Sequence, residues 1–204
     1  DASATGIGSI DSAGSVNTTS GFSIVSYTGN GSTNQTVAHS LGITPKIKII
    51  KNRSTSGTWT VSGSLLGEDN RCFLDTTAAV GSVSGYYPND TSTTLGLSGS
   101  NSGSGHNTSG DNYIAYCFAE KQGYSKFGSY TGNGNADGTF VYTGFKPAFV
   151  ICKITSGTDQ WVLYDNKRDT FNVTEQILRP NTNGAEGTES GAKMDLLSNG
   201  FKLR

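Results

Sequence analysis

Charge, histidine and long apolar runs are all scarce in this chain, and each scarcity removes a class of function. Only 15% of the 204 residues are charged and the formal net charge is -1, against roughly 25% charged residues in an average domain. No basic stripe interleaved with aromatics is present, so the chain has no electrostatic grip on phosphate backbones and nucleic acid is not an expected partner. His39 and His106 are the only histidines, which excludes sites assembled from histidine clusters. No run reaches the roughly 18 apolar residues of a membrane span, and no basic region followed by an apolar one opens the chain. Neither membrane insertion nor a signal peptide is expected.

Cysteine is equally sparse. Cys72, Cys117 and Cys152 are odd in number and do not occupy matched places in the sequence repeat described below. Cys152 stands where the first copy has Ile50, the behaviour of a small buried hydrophobe. All three are read as reduced, which implies synthesis in a cytoplasm even for an object that works outside it. The sequence also lacks an H-E-x-x-H run, a G-x-S-x-G elbow, a P-loop and a dinucleotide glycine fingerprint. No cofactor, metal or catalytic residue is expected.

What fills the chain instead is glycine, with 28 copies, and abundant Ser, Thr and Asn around short β-branched and aromatic pieces. One stretch occurs twice: Ser26-Tyr27-Thr28-Gly29-Asn30-Gly31 returns residue for residue as Ser129-Tyr130-Thr131-Gly132-Asn133-Gly134. Gly21-Phe22-Ser23 recurs as Gly123-Tyr124-Ser125, Pro45 as Pro147, Lys51 as Lys153 and Trp59 as Trp161. Such repetition defines two units of roughly a hundred residues, each of a size that folds alone. The expected architecture is all-β: two tandem related antiparallel β-sandwich, jelly-roll-like units, the second lacking its final strand. Residues 1–20 form a linker or edge strand, 21–120 the first repeat and 121–204 the second. Tyr27, Gly29, Gly31, Pro45 and Trp59, with Tyr130, Gly132, Gly134, Pro147 and Trp161, are its expected anchors, and matched anchors should occupy like settings.

Along the chain, Gly21 to Thr28 predicts a strand and Gly29-Asn30-Gly31 a tight turn. Thr36 to His39 begins another strand, and Pro45 punctuates the next. Lys46-Ile47-Lys48-Ile49-Ile50-Lys51 alternates as a strand with one wet face should, whereas Ala148 to Lys153 is apolar throughout and predicts burial on both faces. Matched Ser-Gly turns (Ser54 to Thr58, Thr155 to Thr158) lead into matched strands at Trp59 and Trp161. Phe171 to Arg179 suggests a turn or two of helix. Ser98 to Asp111 is too polar to pack and reads as an exposed loop with His106 solvated. Asn112 to Glu120 is the clearest strand, with Ile114, Tyr116 and Phe118 on one side and Tyr113, Ala115, Cys117 and Ala119 on the other, and belongs near a sheet centre. The second unit reaches Arg204 before any equivalent of that strand, so the polypeptide either continues or receives a strand from a neighbour.

Binding residues follow from exposure and residue type. Tyr86 and Tyr87 before Pro88, with Asn89, His106 and Asn107 in and beside the polar loop, are the candidate carbohydrate or receptor contacts. The matched tryptophans are better read as core than as sugar platforms. Glu68, Asp69, Asp75, Asp165 and Asp169 would serve a glycosidase only if two of them faced each other across a cleft; the Asp165 to Asp169 cluster reads as a solvated turn. Seven N-x-S/T sequons, at Asn17, Asn30, Asn34, Asn52, Asn89, Asn107 and Asn172, are what so Asn-, Ser- and Thr-rich a composition generates.

The runs GFSIVSYTGNGS, VAHSLGITPKIKIIKNRS, DNYIAYCFAEKQGYSKFGSYTGNGNADGTFVYTGFKPAFVICK and LSNGFKLR together resemble a repeated domain of large structural proteins of tailed phages, marine ones especially. The likeness extends from Ala13 to Arg204. It implies a virion component, a tail-fibre or surface appendage module without catalytic residues, that assembles with identical chains as a fibre or trimer, joins other virion proteins and meets a host surface glycan or receptor. An extracellular filament or adhesin subunit assembled by strand donation is the alternative reading.

Overall fold

The computed structural model describes residues 2–83, 90–98, 105–189 and 191–204. Apart from one helical turn at Ala2–Thr5 the regular structure is strand, and the chain is all-β with antiparallel sheets. It divides into a first unit, Asp1–Leu74 with Val80–Lys121, and a second, Asp75–Ala79 with Gln122–Arg204.

The first unit carries β1 (Ser12–Asn17), β2 (Phe22–Thr28), β3 (Gln35–Ala38), β4 (Ile47–Asn52), β5 (Thr60–Ser62), β6 (Asn70–Phe73), β7 (Gly81–Ser82), β8 (Thr94–Leu97) and β9 (Asn112–Phe118). Seven of these form one sheet in the order β1-β2-β9-β4-β5-β6-β7, and β3 pairs with β8 in a separate ladder. β9 lies between β2 and β4, as its apolar side chains on both faces predict. Its inward side chains Tyr113, Ala115 and Cys117 share one buried cluster with Val25 and Tyr27 of β2, Ile50 of β4, Val37 of β3 and Leu95 and Leu97 of β8. One core therefore joins the two ladders, a sandwich-like arrangement. On the sheet's other side Phe22 packs on Phe118, ring centroids 4.9 Å apart, and Trp59 stacks on Tyr116 at 6.3 Å.

That packing reverses the expected sidedness of β4. Ile47 and Ile49 sit among the half-buried aromatics, while Lys48 points into the core and is 2% exposed. The lysine is tolerated because its ammonium donates to Asp90 Oδ1 at 2.5 Å and to the Gly96 carbonyl at 2.8 Å. Asp90 in turn accepts the Gly96 N–H at 3.0 Å, so the pair ties β4 to β8.

The second unit carries β10 (Phe140–Tyr142), β11 (Phe149–Cys152), β12 (Val162–Asp165), β13 (Gln176–Ile177), β14 (Gly187–Thr188), β15 (Met194–Leu197) and β16 (Gly200–Leu203). Its ladders are β10-β16-β15, β11-β12 and β13-β14, with Val150, Tyr164, Ile177, Met194, Leu196 and Phe201 as a common core. The residues expected to form helix, Phe171 to Arg179, instead contain β13, held by a bridge from Leu178 to Leu163. Asp169 Oδ2 accepts the N–H groups of Glu175 and Gln176 at 2.7 and 2.6 Å and fixes the segment in an open loop.

The duplication is visible as register. Lys48↔Ser62, Ile49↔Val61 and Ile50↔Thr60 in the first unit become Val150↔Tyr164, Ile151↔Leu163 and Cys152↔Val162 in the second, each at the position the sequence repeat assigns. Pro45 and Pro147 are both buried just before these strands. The hexapeptides do not match in this way. Tyr27 is 5% exposed, stacks on Tyr113 at 5.2 Å and donates its hydroxyl to the His106 carbonyl at 2.8 Å. Tyr130 is 41% exposed, meets Phe201 edge-on at 6.2 Å and lies outside any strand. The expectation of like settings for these two tyrosines is thus corrected: Tyr27 owes its burial to β9, and among the described residues the second unit shows no counterpart of β9.

The burial expected on both faces of Ala148 to Lys153 fails for the same reason, since Phe149 is 56% and Ile151 40% exposed.

Candidate binding site

A concave surface lies at the end of β4, where the loop 53–59 faces the segment 105–111. Asn52 organises it. Its amide Nδ2 donates to Asp111 Oδ2 at 2.7 Å and to the Tyr113 hydroxyl at 3.3 Å, and its Oδ1 accepts the N–H groups of Ser54 and Thr55 at 2.8 and 3.1 Å. This closes an Asx-type turn that fixes the loop without regular structure. Ser54 Oγ then accepts the Asn112 N–H at 2.8 Å, and Lys51 Nζ donates to the Gly57 carbonyl at 3.0 Å.

Opposite, Asn107 clamps the first Gly-Asn-Gly. Its Oδ1 accepts the Asn30 N–H at 2.9 Å and its Nδ2 donates to Asn30 Oδ1 at 2.9 Å and the Ser32 carbonyl at 2.7 Å. The hexapeptide is therefore docked onto 105–111 and does not form a hairpin turn. Gly29 is required there, because a Cβ would stand 2.3 Å from the Thr108 carbonyl oxygen, whereas nothing lies within 4 Å of a Cβ at Gly132. Gly29→Ala is expected to lower unfolding stability by about 1–3 kcal/mol through overpacking, and Gly132→Ala to change it by less than about 0.5 kcal/mol. Urea titration of the two variants checks the contrast.

Between loop and segment is a hollow of about 280 Å³ whose polar lining includes Asn52, Thr55, Ser56, Thr108 and Asp111, with Ile50 and His106 at its wall. Thr58 also lines it, with its Oγ1 buried and without a hydrogen-bond partner among the described residues. The surface therefore offers hydroxyls, an amide and one carboxylate already engaged by Asn52. A single carboxylate does not supply the acid and base pair of glycoside hydrolysis.

Of the residues singled out from sequence, Tyr86, Tyr87 and Asn89 lie outside the described residues. His106 and Asn107 are present but buried, not solvated. The polar segment packs because its groups bond inward: the His106 N–H donates to Ser98 Oγ at 3.1 Å and its carbonyl accepts from Tyr27. Burial, with the charges of Lys48 and Arg71 adding to it, pushes the His106 imidazole down to about 3, so at neutral pH it lines the hollow uncharged. His39 is structural: Nε2 donates to the Thr91 carbonyl at 3.1 Å and Nδ1 accepts the Leu41 N–H at 3.1 Å, which defines a neutral ring. Asp165 and Asp169 are both engaged by nearby backbone N–H groups. Asp165 caps the turn after β12, accepting from the N–H groups of Lys167 and Arg168 and from Arg168 Nε at 2.7 Å. Each tryptophan stands immediately before its strand; Trp161 is buried, as the core reading predicts, whereas Trp59 is half-buried and stacks on Tyr116 outside the core cluster. The hollow itself carries no motif; Asn52 and Asp111, on separate segments, gave no local signal.

No curated protein and no solved structure matches the chain. The model of one family, described as a domain of unknown function (DUF7483), matches residues 1–204. The chain belongs to that family.

Proposed function

We propose that this chain is a structural module of a phage virion, a tail-fibre or surface appendage component that contacts host surface glycans and performs no turnover. The observation that carries the contact role is the hydroxyl-lined hollow held rigid by Asn52, whose walls are set before any ligand arrives. Preset hydroxyl, amide and carboxylate groups suit a polyhydroxylated ligand, because hydrogen bonds are made without the entropic cost of ordering a loop. The resemblance to phage structural repeats and the repeated strand register support an architectural role, and assembly with identical chains and other virion proteins belongs to the same reading.

Immunogold labelling of purified virions with antibody to this chain tests the location, and particles left unlabelled throughout reject it. A glycan array tests the contact. Binding without release of products is expected, with at least tenfold weaker binding by Asn52→Ala, which dismantles the turn, and by Ser56→Ala, which removes only one exposed hydroxyl of the lining.

A further inference from the structure

The repeated register also exposes a difference between the units. In the first, β4 is flanked by β5 on one side and β9 on the other, with Ile47 opposite Phe118, Ile49 opposite Tyr116 and Ile50 opposite Ala115. In the second, β11 keeps the β5-like neighbour β12 and pairs with no other strand among the described residues. Residues 122–139, which contain the counterpart of β2, form no strand either. The ladder β10-β16-β15 is present and contributes Met194, Leu196 and Phe201 to the core that Val150 and Tyr164 share. Among the described residues the second unit therefore has no counterpart of β9, the strand between β2 and β4 in the first. The exposure of Phe149, Ile151 and Tyr130 falls where that strand would lie.

We propose that β11 is an acceptor edge that takes one strand, of the character of Asn112–Glu120, supplied from outside the described residues. An unpaired edge bearing large apolar side chains is a template for β-augmentation. The first unit specifies the occupant. Toward the core its strand places Ala115 and Cys117, small enough to lie over Ile50 and Lys48; the incoming strand needs side chains of that size opposite Cys152 and Val150. On the outer face it places Tyr116 and Phe118, and aromatic residues belong opposite Ile151 and Phe149. No charged residue occurs in Phe149–Cys152, so selection rests on the ladder and on this alternation of small and aromatic side chains, not on steering. The inference concerns the second unit alone and stands whether or not the particle is a virion.

The probe is a synthetic peptide spanning Asn112–Glu120 with Cys117→Ser, added to the purified full chain and followed by amide hydrogen exchange. Exchange at 149–152 is expected to slow at least tenfold with a rise in Tm, and a peptide carrying Trp in place of Ala115 and Cys117 is expected to have no effect. The chain variant Phe149→Lys/Ile151→Lys alters only exposed side chains and should fold, yet bind at least tenfold more weakly. Unchanged exchange at 149–152 with millimolar peptide overturns the proposal, as does equal protection by the Trp peptide. Protection of β11 in the peptide-free chain, as a monomer or between two copies, also overturns it, because the edge would already be satisfied. Virion labelling has no bearing on any of these outcomes.

Discussion

Asp90→Ala is expected to destabilise the first unit by about 3–5 kcal/mol, the cost of leaving a buried ammonium without its counter-charge. Lys48 and Asp90 have side chains only 2% and 4% exposed, so solvent does not rescue the survivor. Removal of Asp90 also takes the acceptor from the Gly96 N–H while Lys48 still reaches for the Gly96 carbonyl. The pair itself need not be a net source of stability, since desolvating two charges offsets most of their attraction. The chain contains its own comparison: the position of Lys48 is held in the second unit by Val150, buried among Tyr164, Ile177 and Phe201. The double variant Lys48→Met/Asp90→Leu is accordingly expected to recover most of the loss. Urea unfolding of the single and double variants measures both effects. A single variant within about 1 kcal/mol of the wild type would mean that the lysine finds water.

What the sequence made legible was whatever depends on neighbours close in the chain or on strict alternation. The centre of the first sheet was readable because Asn112 to Phe118 alternates without interruption, and its small inward residues are what a strand packed between two others requires. Matched strands at Trp59 and Trp161 were readable because their register is set by Ser-Gly turns in the same place. Lys48 was misread because alternation gives two faces but not which is inward. That choice was made by Asp90, forty-two positions away, and by the aromatic cluster that claims the other face.

His106 and Asn107 were misread for a related reason. A segment of Gly, Ser, Asn and Thr has little to bury, and its polarity hides that its amides and carbonyls fit the backbone of Gly29 to Ser32 group by group. The hexapeptides show the same limit from the other side. Identical residues take different settings because the strand that would fix them is supplied from elsewhere in the fold. The hollow at Asn52 was invisible in sequence since its two walls meet only through β9 lying beside β4.

The buried histidines make the protein acid-sensitive in a defined window. His106, pushed down to about 3 by burial, and His39, also lowered by burial, are neutral in the folded state, while an unfolded chain protonates both near 6.5. Below that value the unfolded state binds more protons than the folded one. Stability is therefore fully present above about pH 6.5 and is lost as pH falls toward the folded value. The slope for one such histidine approaches about 1.4 kcal/mol per pH unit, so His106 alone is expected to remove roughly 2–3 kcal/mol between pH 6.5 and 4.5. On the alkaline side the sign reverses. Burial raises the Cys117 thiol from 9.0 to about 12 and also raises Tyr27, so the unfolded state gives up protons first and stability falls as pH rises beyond 9. The expected profile is a plateau between about pH 6.5 and 9 with a fall on each side. Urea midpoints at half-unit intervals test it. His106→Gln should lower the plateau while flattening the acid limb between pH 6.5 and 5, above the range in which most carboxylates titrate. Parallel acid limbs for the variant and the wild type would show that this imidazole is hydrated in the folded protein.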